Sequence, residues 1–181
     1  MLAAGGGRRY GGPKALVRHG ERTLVEHAVA TLRDGGCAPL FVVVGAAAAE
    51  VKALPLDVTF VDNPAWKSGM GSSLRAGLAA LAGTDVESVV VLLVDTPGIG
   101  PEAVRRVAKL ATPSALVAAV YGTRRGHPVL LGREHWAGVS TLAASDVGAR
   151  AYLTAHAAKV QAVACDDIAD DTDLDVPPPT P

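Results

Sequence analysis

Aromatic side chains are scarce in this chain. Two Trp, three Tyr and two Phe make up 4% of its 181 residues, so a core must be assembled mainly from Ala, Val and Leu. Cysteine is scarcer still. Cys37 and Cys165 lie far apart and outside any Cys-x-x-Cys spacing, which argues against a thiolate metal site or a redox pair. Positive charge is not in excess: 17 Lys and Arg stand against 18 Asp and Glu, a formal net charge of -1. The electrostatic footprint of a nucleic-acid binder is therefore missing. No apolar run approaches the ~20 residues that span a bilayer. The Gly-rich start, Met1 to Gly7, is too short for the apolar stretch of a signal peptide. These absences point to the cytoplasm, with neither a membrane nor a nucleic acid as partner.

Hydrophobic residues reach 49% and charged residues 19%, the balance of a globular chain. The length suits one domain, expected over residues 1–176. The Pro-rich stretch 177–181 is expected as a disordered tail or an extended cap. Four short apolar runs read as strands buried on both faces: Leu40 to Val44, Val58 to Val61, Val89 to Val94 and Leu116 to Val120. Helical spacing appears between and after them. Thr23 to Asp34 puts Leu24, His27, Ala28, Thr31 and Leu32 on one face, and Gly35-Gly36 stops it. Ser72 to Leu81, Pro101 to Leu110 and Asp146 to Ala158 read as further helices. Alternating strand and helix predicts an α/β fold, a three-layer sandwich with a mainly parallel, Rossmann-like sheet whose ligands bind at the carboxyl ends of the strands.

The N-terminal segment reads Leu2-Ala3-Ala4-Gly5-Gly6-Gly7-Arg8-Arg9-Tyr10-Gly11-Gly12-Pro13-Lys14. Consecutive glycines let backbone N–H groups approach an anion closely. Arg8, Arg9 and Lys14 add positive charge that suits a triphosphate. Such a loop normally follows a strand. Only Met1 to Ala4 precede it here, a stunted strand or one that begins upstream. Gly5, Gly7 and Gly11 nearly satisfy a dinucleotide fingerprint, which keeps an NAD(P)-dependent oxidoreductase as an alternative. That fold expects an acidic residue roughly twenty positions on, at a strand end. Glu21 and Glu26 fall instead at a turn and in a helix.

Asp95 stands at the carboxyl end of a buried run, where a carboxylate needs a partner; a hard cation bridging it to phosphates supplies one, and a helix cap or an Arg would also serve. In Asn63-Pro64-Ala65-Trp66-Lys67-Ser68-Gly69-Met70-Gly71-Ser72-Ser73 the Asn-Pro opens a loop. Gly69, Ser72 and Ser73 then sit where a helix start leaves N–H groups and hydroxyls for a ligand. A serine there can equally cap the helix.

The N-terminal segment resembles the Leu-Ala-Ala-Gly-x-Gly-x-Arg-x-Gly-x-Pro-Lys signature of the MobA-like nucleotidyltransferases, and most of all that of the molybdenum cofactor cytidylyltransferases. The Asn63 to Leu78 segment, Asp95-Thr96-Pro97, Gly126-His127-Pro128, Asp146-Val147-Gly148-Ala149-Arg150 and the acidic stretch Asp166 to Asp173 resemble further motifs of that family, in order. The resemblance implies Mg²⁺-dependent transfer of a nucleotidyl group from a nucleoside triphosphate, CTP or GTP, to a phosphorylated acceptor. Ala4 in place of a glycine favours CTP, with molybdopterin carrying molybdenum as acceptor and a molybdoenzyme or its maturation chaperone as protein partner. Leu2 to Arg9, Lys14, Gly69, Ser72, Ser73 and Asp95 are then the nucleotide-binding positions, with Arg9, Lys14 and Asp95 catalytic. Asp95 and Asp171 are the expected metal ligands, and His127 and Arg150 the acceptor contacts. A non-catalytic chaperone for the same cofactor is the other alternative.

Overall fold

The computed structural model describes residues 1–7 and 10–174. Arg8 and Arg9, expected in the phosphate loop, and the stretch 177–181 lie outside the described residues.

The elements follow in chain order. A small hairpin, β1 (Arg18–His19) and β2 (Arg22–Thr23), leads into α1 (Leu24–Asp34). Next come β3 (Phe41–Val44), α2 (Ala48–Lys52), β4 (Thr59–Asp62), α3 (Met70–Ala82), β5 (Ser88–Val91) and α4 (Pro101–Ala108). The remainder is β6 (Leu116–Tyr121), β7 (Arg124–Gly132), α5 (Trp136–Leu142), α6 (Arg150–Ala155) and β8 (Gln161–Ala164). α1 starts where it does because Thr23 and Glu26 form a capping box. Glu26 N–H donates to Thr23 Oγ1, and the Glu26 carboxylate accepts from the Thr23 backbone N–H at 2.7 Å. The Thr23 hydroxyl, which donates to the same carboxylate at 2.6 Å, and the Thr23 N–H hold the Glu26 carboxyl below its ordinary range. At the far end a Cβ on Gly35 would run into Val104 of α4, so the glycine lets the two helices close up.

The short first strand sits at the centre of the sheet. Leu2 bridges Val43 on one side and Leu93 on the other, both parallel. Ala3 N–H donates to the Val43 carbonyl at 2.9 Å and Leu2 N–H to the Leu92 carbonyl at 3.0 Å. The order across the sheet is β4, β3, residues 1–3, β5, β7, β6, β8. β7 alone runs against its neighbours, antiparallel to β5 and β6, and β8 lies parallel to β6. The sheet is thus mixed and mainly parallel. Residue parity divides the core. Val42, Val44, Leu92, Val94, Val117, Ala119 and Leu130 face α1 and α4, packing on Leu24, Val25, Leu32 and Val104. Val91, Leu116, Ala118, Val129 and Leu131 face the other layer, with Leu74, Leu78, Trp136 and Leu153. Both faces are covered, which is why the strands read as continuous apolar runs. Among the described residues no helix is long and apolar enough to cross a membrane.

The helix expected over Asp146 to Ala158 is a correction. It begins at Arg150 and ends at Ala155. Ser145 and Gly148 have positive φ, 43° and 52°, which a right-handed helix does not accept. Asp146 is also engaged elsewhere: its Oδ1 accepts from the Met70 N–H at 3.3 Å, placing a negative charge at the start of α3.

Candidate active site

The carboxyl ends of the central strands open into a cleft of about 500 Å³, a size that suits a nucleotide-scale ligand. Leu2, Ala4, Gly5, Gly6 and Gly7 form one wall; Ala3 is buried in the sheet beneath them. Gly7 has φ +57° and its carbonyl accepts from Gly11 N–H at 2.9 Å and Gly12 N–H at 3.2 Å. A Cβ there would collide with the Gly12 carbonyl, so the loop closes only with glycine at this position. A Cβ on Gly6 would meet the Trp66 ring. Trp66 stands in the turn before α3 and lines the cleft; the Lys67 ammonium, also lining it, lies 5.6 Å from the centroid of its ring. The chain then turns through Pro13 into a single 3-10 turn, Lys14–Leu16, anchored by buried Ala15. This brings Lys14 to Asp95 across the cleft: Nζ donates to Oδ2 at 2.8 Å, with both side chains mostly buried. Sequence reasoning chose these two residues separately, and the fold joins them.

The start of α3 is more occupied than the sequence suggests. Gly71 N–H donates to the Ser145 carbonyl at 2.8 Å and Met70 N–H to Asp146, so the first turn is capped by the loop before α6 rather than left open. The Ser72 hydroxyl donates to the Gly69 carbonyl at 2.8 Å and accepts from Asn63 Nδ2 at 2.8 Å. Ser72 is buried in this brace and does not line the cleft; Ser73, which also accepts from Asn63, and Gly69 do. Gly69 carries φ +107°, and a Cβ there would strike Ser145 and Asp146.

Asp171 and Asp173 have different surroundings. Asp171 is buried and receives both guanidinium nitrogens of Arg124, Nη1 at 2.8 Å. Asp173 lines the same cleft as Asp95. Its neighbour Leu174 donates its backbone N–H to the Asp95 carbonyl at 2.8 Å, which holds this segment against Asp95. Asp171, expected from the sequence as the second metal ligand, is instead held by Arg124 outside the cleft lining, and Asp173 is the late carboxylate that lines it. A hard cation takes one or two carboxylates and completes its shell with water and phosphate oxygens. Asp95 and Asp173, which both line the cleft, are two such carboxylates. Among the described residues no group of three or more His, Cys, Asp or Glu side chains forms a closed cage.

A smaller cavity of about 200 Å³ continues from the cleft, sharing Leu2, Met70, Leu93, Asp146 and Asp173 with it. Its own walls include Arg124, Arg125, His127, Arg150 and Asp171. His127 and Arg150, read as acceptor contacts, are thus brought together. Burial lowers the His127 imidazole to about 4, with Asp95 and Asp171 opposing the shift, so the ring is neutral near neutral pH. Arg150 opens α6 with its side chain exposed and forms no ion pair with Asp146, which is bound to Met70. Arg124 and Arg125 escaped the sequence reading; a basic pair in a hairpin carries no signal until the strand places it on a cavity wall.

The family model for a MobA-like NTP transferase domain matches residues 1–160. The chain is 37% identical to nicotine blue oxidoreductase of Paenarthrobacter nicotinovorans, over 97% of this chain and 90% of that protein. The crystal structure of Rv0371c from Mycobacterium tuberculosis H37Rv matches with a TM-score of 0.82 at 26% identity, covering 97% of this chain and 90% of that one. A complex of Rv0371c with manganese matches at a TM-score of 0.74 and 25% identity, over 90% and 84% of the two chains.

Proposed function

Because this chain belongs to the MobA-like NTP transferase domain family, we propose that it transfers a nucleoside monophosphate from a nucleoside triphosphate to a phosphorylated acceptor, with Mg²⁺, releasing pyrophosphate. The observation that carries the reading is the Lys14–Asp95 pair at 2.8 Å on the wall of a glycine-lined cleft. Gly5 to Gly7 keep side chains away from the triphosphate. Lys14, together with Arg9, neutralises the departing pyrophosphate. Asp95 and Asp173 would hold the cation, which would screen the phosphate charges and polarise the α-phosphoryl group. An acceptor phosphate oxygen attacks the α-phosphorus. The bond from that phosphorus to the bridging oxygen breaks, and pyrophosphate leaves with the electron pair. An ionised phosphate needs no general base, so positioning and neutralisation account for the catalysis. Arg150 and the neutral His127 would hold the acceptor in the smaller cavity. Ala4, where related loops carry glycine, favours CTP, and molybdopterin is the acceptor that goes with CTP in the resembled branch.

A second reading is redox chemistry in the same cleft, favoured by the 37% identity with nicotine blue oxidoreductase; the near-dinucleotide spacing of Gly5, Gly7 and Gly11 makes a nicotinamide cofactor its candidate. Melting temperatures with CTP, GTP, ATP and NADPH, each with and without Mg²⁺, separate the two. A ligand that binds only the folded state raises stability as RT ln(1 + [L]/Kd). A Mg²⁺-dependent rise, largest with CTP, is expected. A rise with GTP or ATP instead keeps the reaction and changes the nucleotide. A rise with NADPH alone overturns the transferase reading.

A further inference from the structure

The segment 165–174 is stitched across the open end of the sheet. Asp166 accepts from the Gly122 N–H at the tip of the β6–β7 hairpin. Asp170 N–H donates to the Gly98 carbonyl at 3.1 Å and Leu174 N–H to the Asp95 carbonyl at 2.8 Å, tying the segment to the loop after β5. Between those ties lies Asp171, whose side chain is only 6% exposed. A carboxylate so buried is stable only with a close partner, and Arg124 supplies it with both guanidinium nitrogens. β7 is shaped for this pair. A Cβ on Gly126 would fall on the Asp171 carboxylate, so the glycine leaves the space the aspartate fills. Two residues further on, Asp173 reaches the cleft wall shared with Asp95.

We propose that Arg124 is a positioning residue: by clamping Asp171 it fixes the strap that carries Asp173 to Asp95, and so sets the divalent-cation affinity of the nucleotide site without touching the nucleotide. This rests on the reading that Asp95 and Asp173 hold the cation. A planar, two-pronged guanidinium suits the task better than an ammonium, because it fixes the direction of the carboxylate as well as its charge.

The test uses the full chain with Mn²⁺ as probe. Free Mn²⁺ is followed by electron paramagnetic resonance in the presence of CTP or GTP, whichever stabilises the wild type more. For Arg124→Gln and for Asp171→Asn, Mn²⁺ binding weakens roughly tenfold, the size of effect that groups supporting metal ligands commonly show. Arg124→Lys falls between wild type and Arg124→Gln. The double variant binds Mn²⁺ no more weakly than either single one, as two ends of one contact should. The nucleotide shift of the melting temperature measured without metal stays the same in all of them. Wild-type Mn²⁺ affinity in Arg124→Gln, or a loss confined to acceptor KM, overturns the proposal. Should Arg124→Gln fail to fold, Asp171→Asn and Arg124→Lys carry the same comparison. A wild type that binds no Mn²⁺ beyond what the nucleotide alone binds sinks the underlying reading of the site instead, so the two failures are distinguishable.

Discussion

The two cavities that meet at Asp146 and Asp173 differ in the balance of their walls. The larger takes much of its wall from backbone, the glycine loop and the start of α3, with the Lys14–Asp95 pair, Lys67, Asp146 and Asp173 as charged groups among its described residues. The smaller is walled by charge, with Arg124, Arg125 and Arg150 set among Asp146, Asp171 and Asp173. A glycine wall tolerates any ligand with the right phosphates, because main-chain donors are the same in every residue. A wall of long side chains selects, because each must be held in place by a partner. On the proposed function the first cavity would set the reaction class and the second the acceptor, and the two should respond differently to substitution.

Lys14→Ala against Arg150→Ala is the sharpest way to break that division. Lys14→Ala removes a cation from the departing phosphates and is expected to lower kcat by about a hundredfold with any acceptor, within the range for one electrostatic donor. Arg150→Ala is expected to raise acceptor KM by roughly tenfold and leave nucleotide binding unchanged, as loss of uniform binding does. Steady-state kinetics with each substrate varied in turn checks both. If Arg150→Ala weakens the nucleotide as much as the acceptor, the cavities are one site.

The smallest expected effect concerns pH. Because burial holds His127 at about 4 instead of 6.5, it stays neutral from pH 8 to 6, and acceptor KM shows no inflection near 6.5. Stability behaves otherwise. Between 6.5 and 4 the unfolded chain binds a proton that the folded chain refuses. Stability therefore falls on acidification through that window and levels off, for this group, below it, with a slope of at most about 1.4 kcal/mol per pH unit. His127→Asn removes that slope, which denaturant melts at pH 7, 5.5 and 4.5 would read.

The same contrast explains what could be read from the sequence. The phosphate loop is a local object. Its glycines, Pro13 and Lys14 are contiguous, and the spacing carries the geometry. The α/β architecture was equally legible, because strands covered on both faces leave apolar runs: Leu40 to Val44 and Val89 to Val94 overlap the strands Phe41–Val44 and Ser88–Val91. The stretch before the loop read as a stunted strand, and its first three residues bind neighbours on both sides at the sheet centre. Centrality, not length, sustains it. The smaller cavity was legible only in part: His127 and Arg150 stood out in the sequence, whereas Arg124 and Arg125 did not. Its residues come from the β6–β7 hairpin, α6 and the late strap, and no spacing relates them. Asp146 looked like a helix residue because its neighbours have helical spacing, but it is bound to the Met70 N–H on a different helix. Ser72 looked like a ligand contact because of where α3 begins, but Asn63 turns its hydroxyl inward. In the acidic run, Asp171 and Asp173 are chemically alike and differ only in what the fold sets beside them.

The most direct test of the account is pyrophosphate release from CTP and GTP, with Mg²⁺ and a phosphorylated acceptor, in the wild type and in Asp95→Asn. The account predicts release by the wild type and a loss of about a thousandfold or more in the variant, with the melting temperature of the unliganded protein little changed. Release by Asp95→Asn at the wild-type rate would contradict it, because the carboxylate facing Lys14 would then have no part in the chemistry.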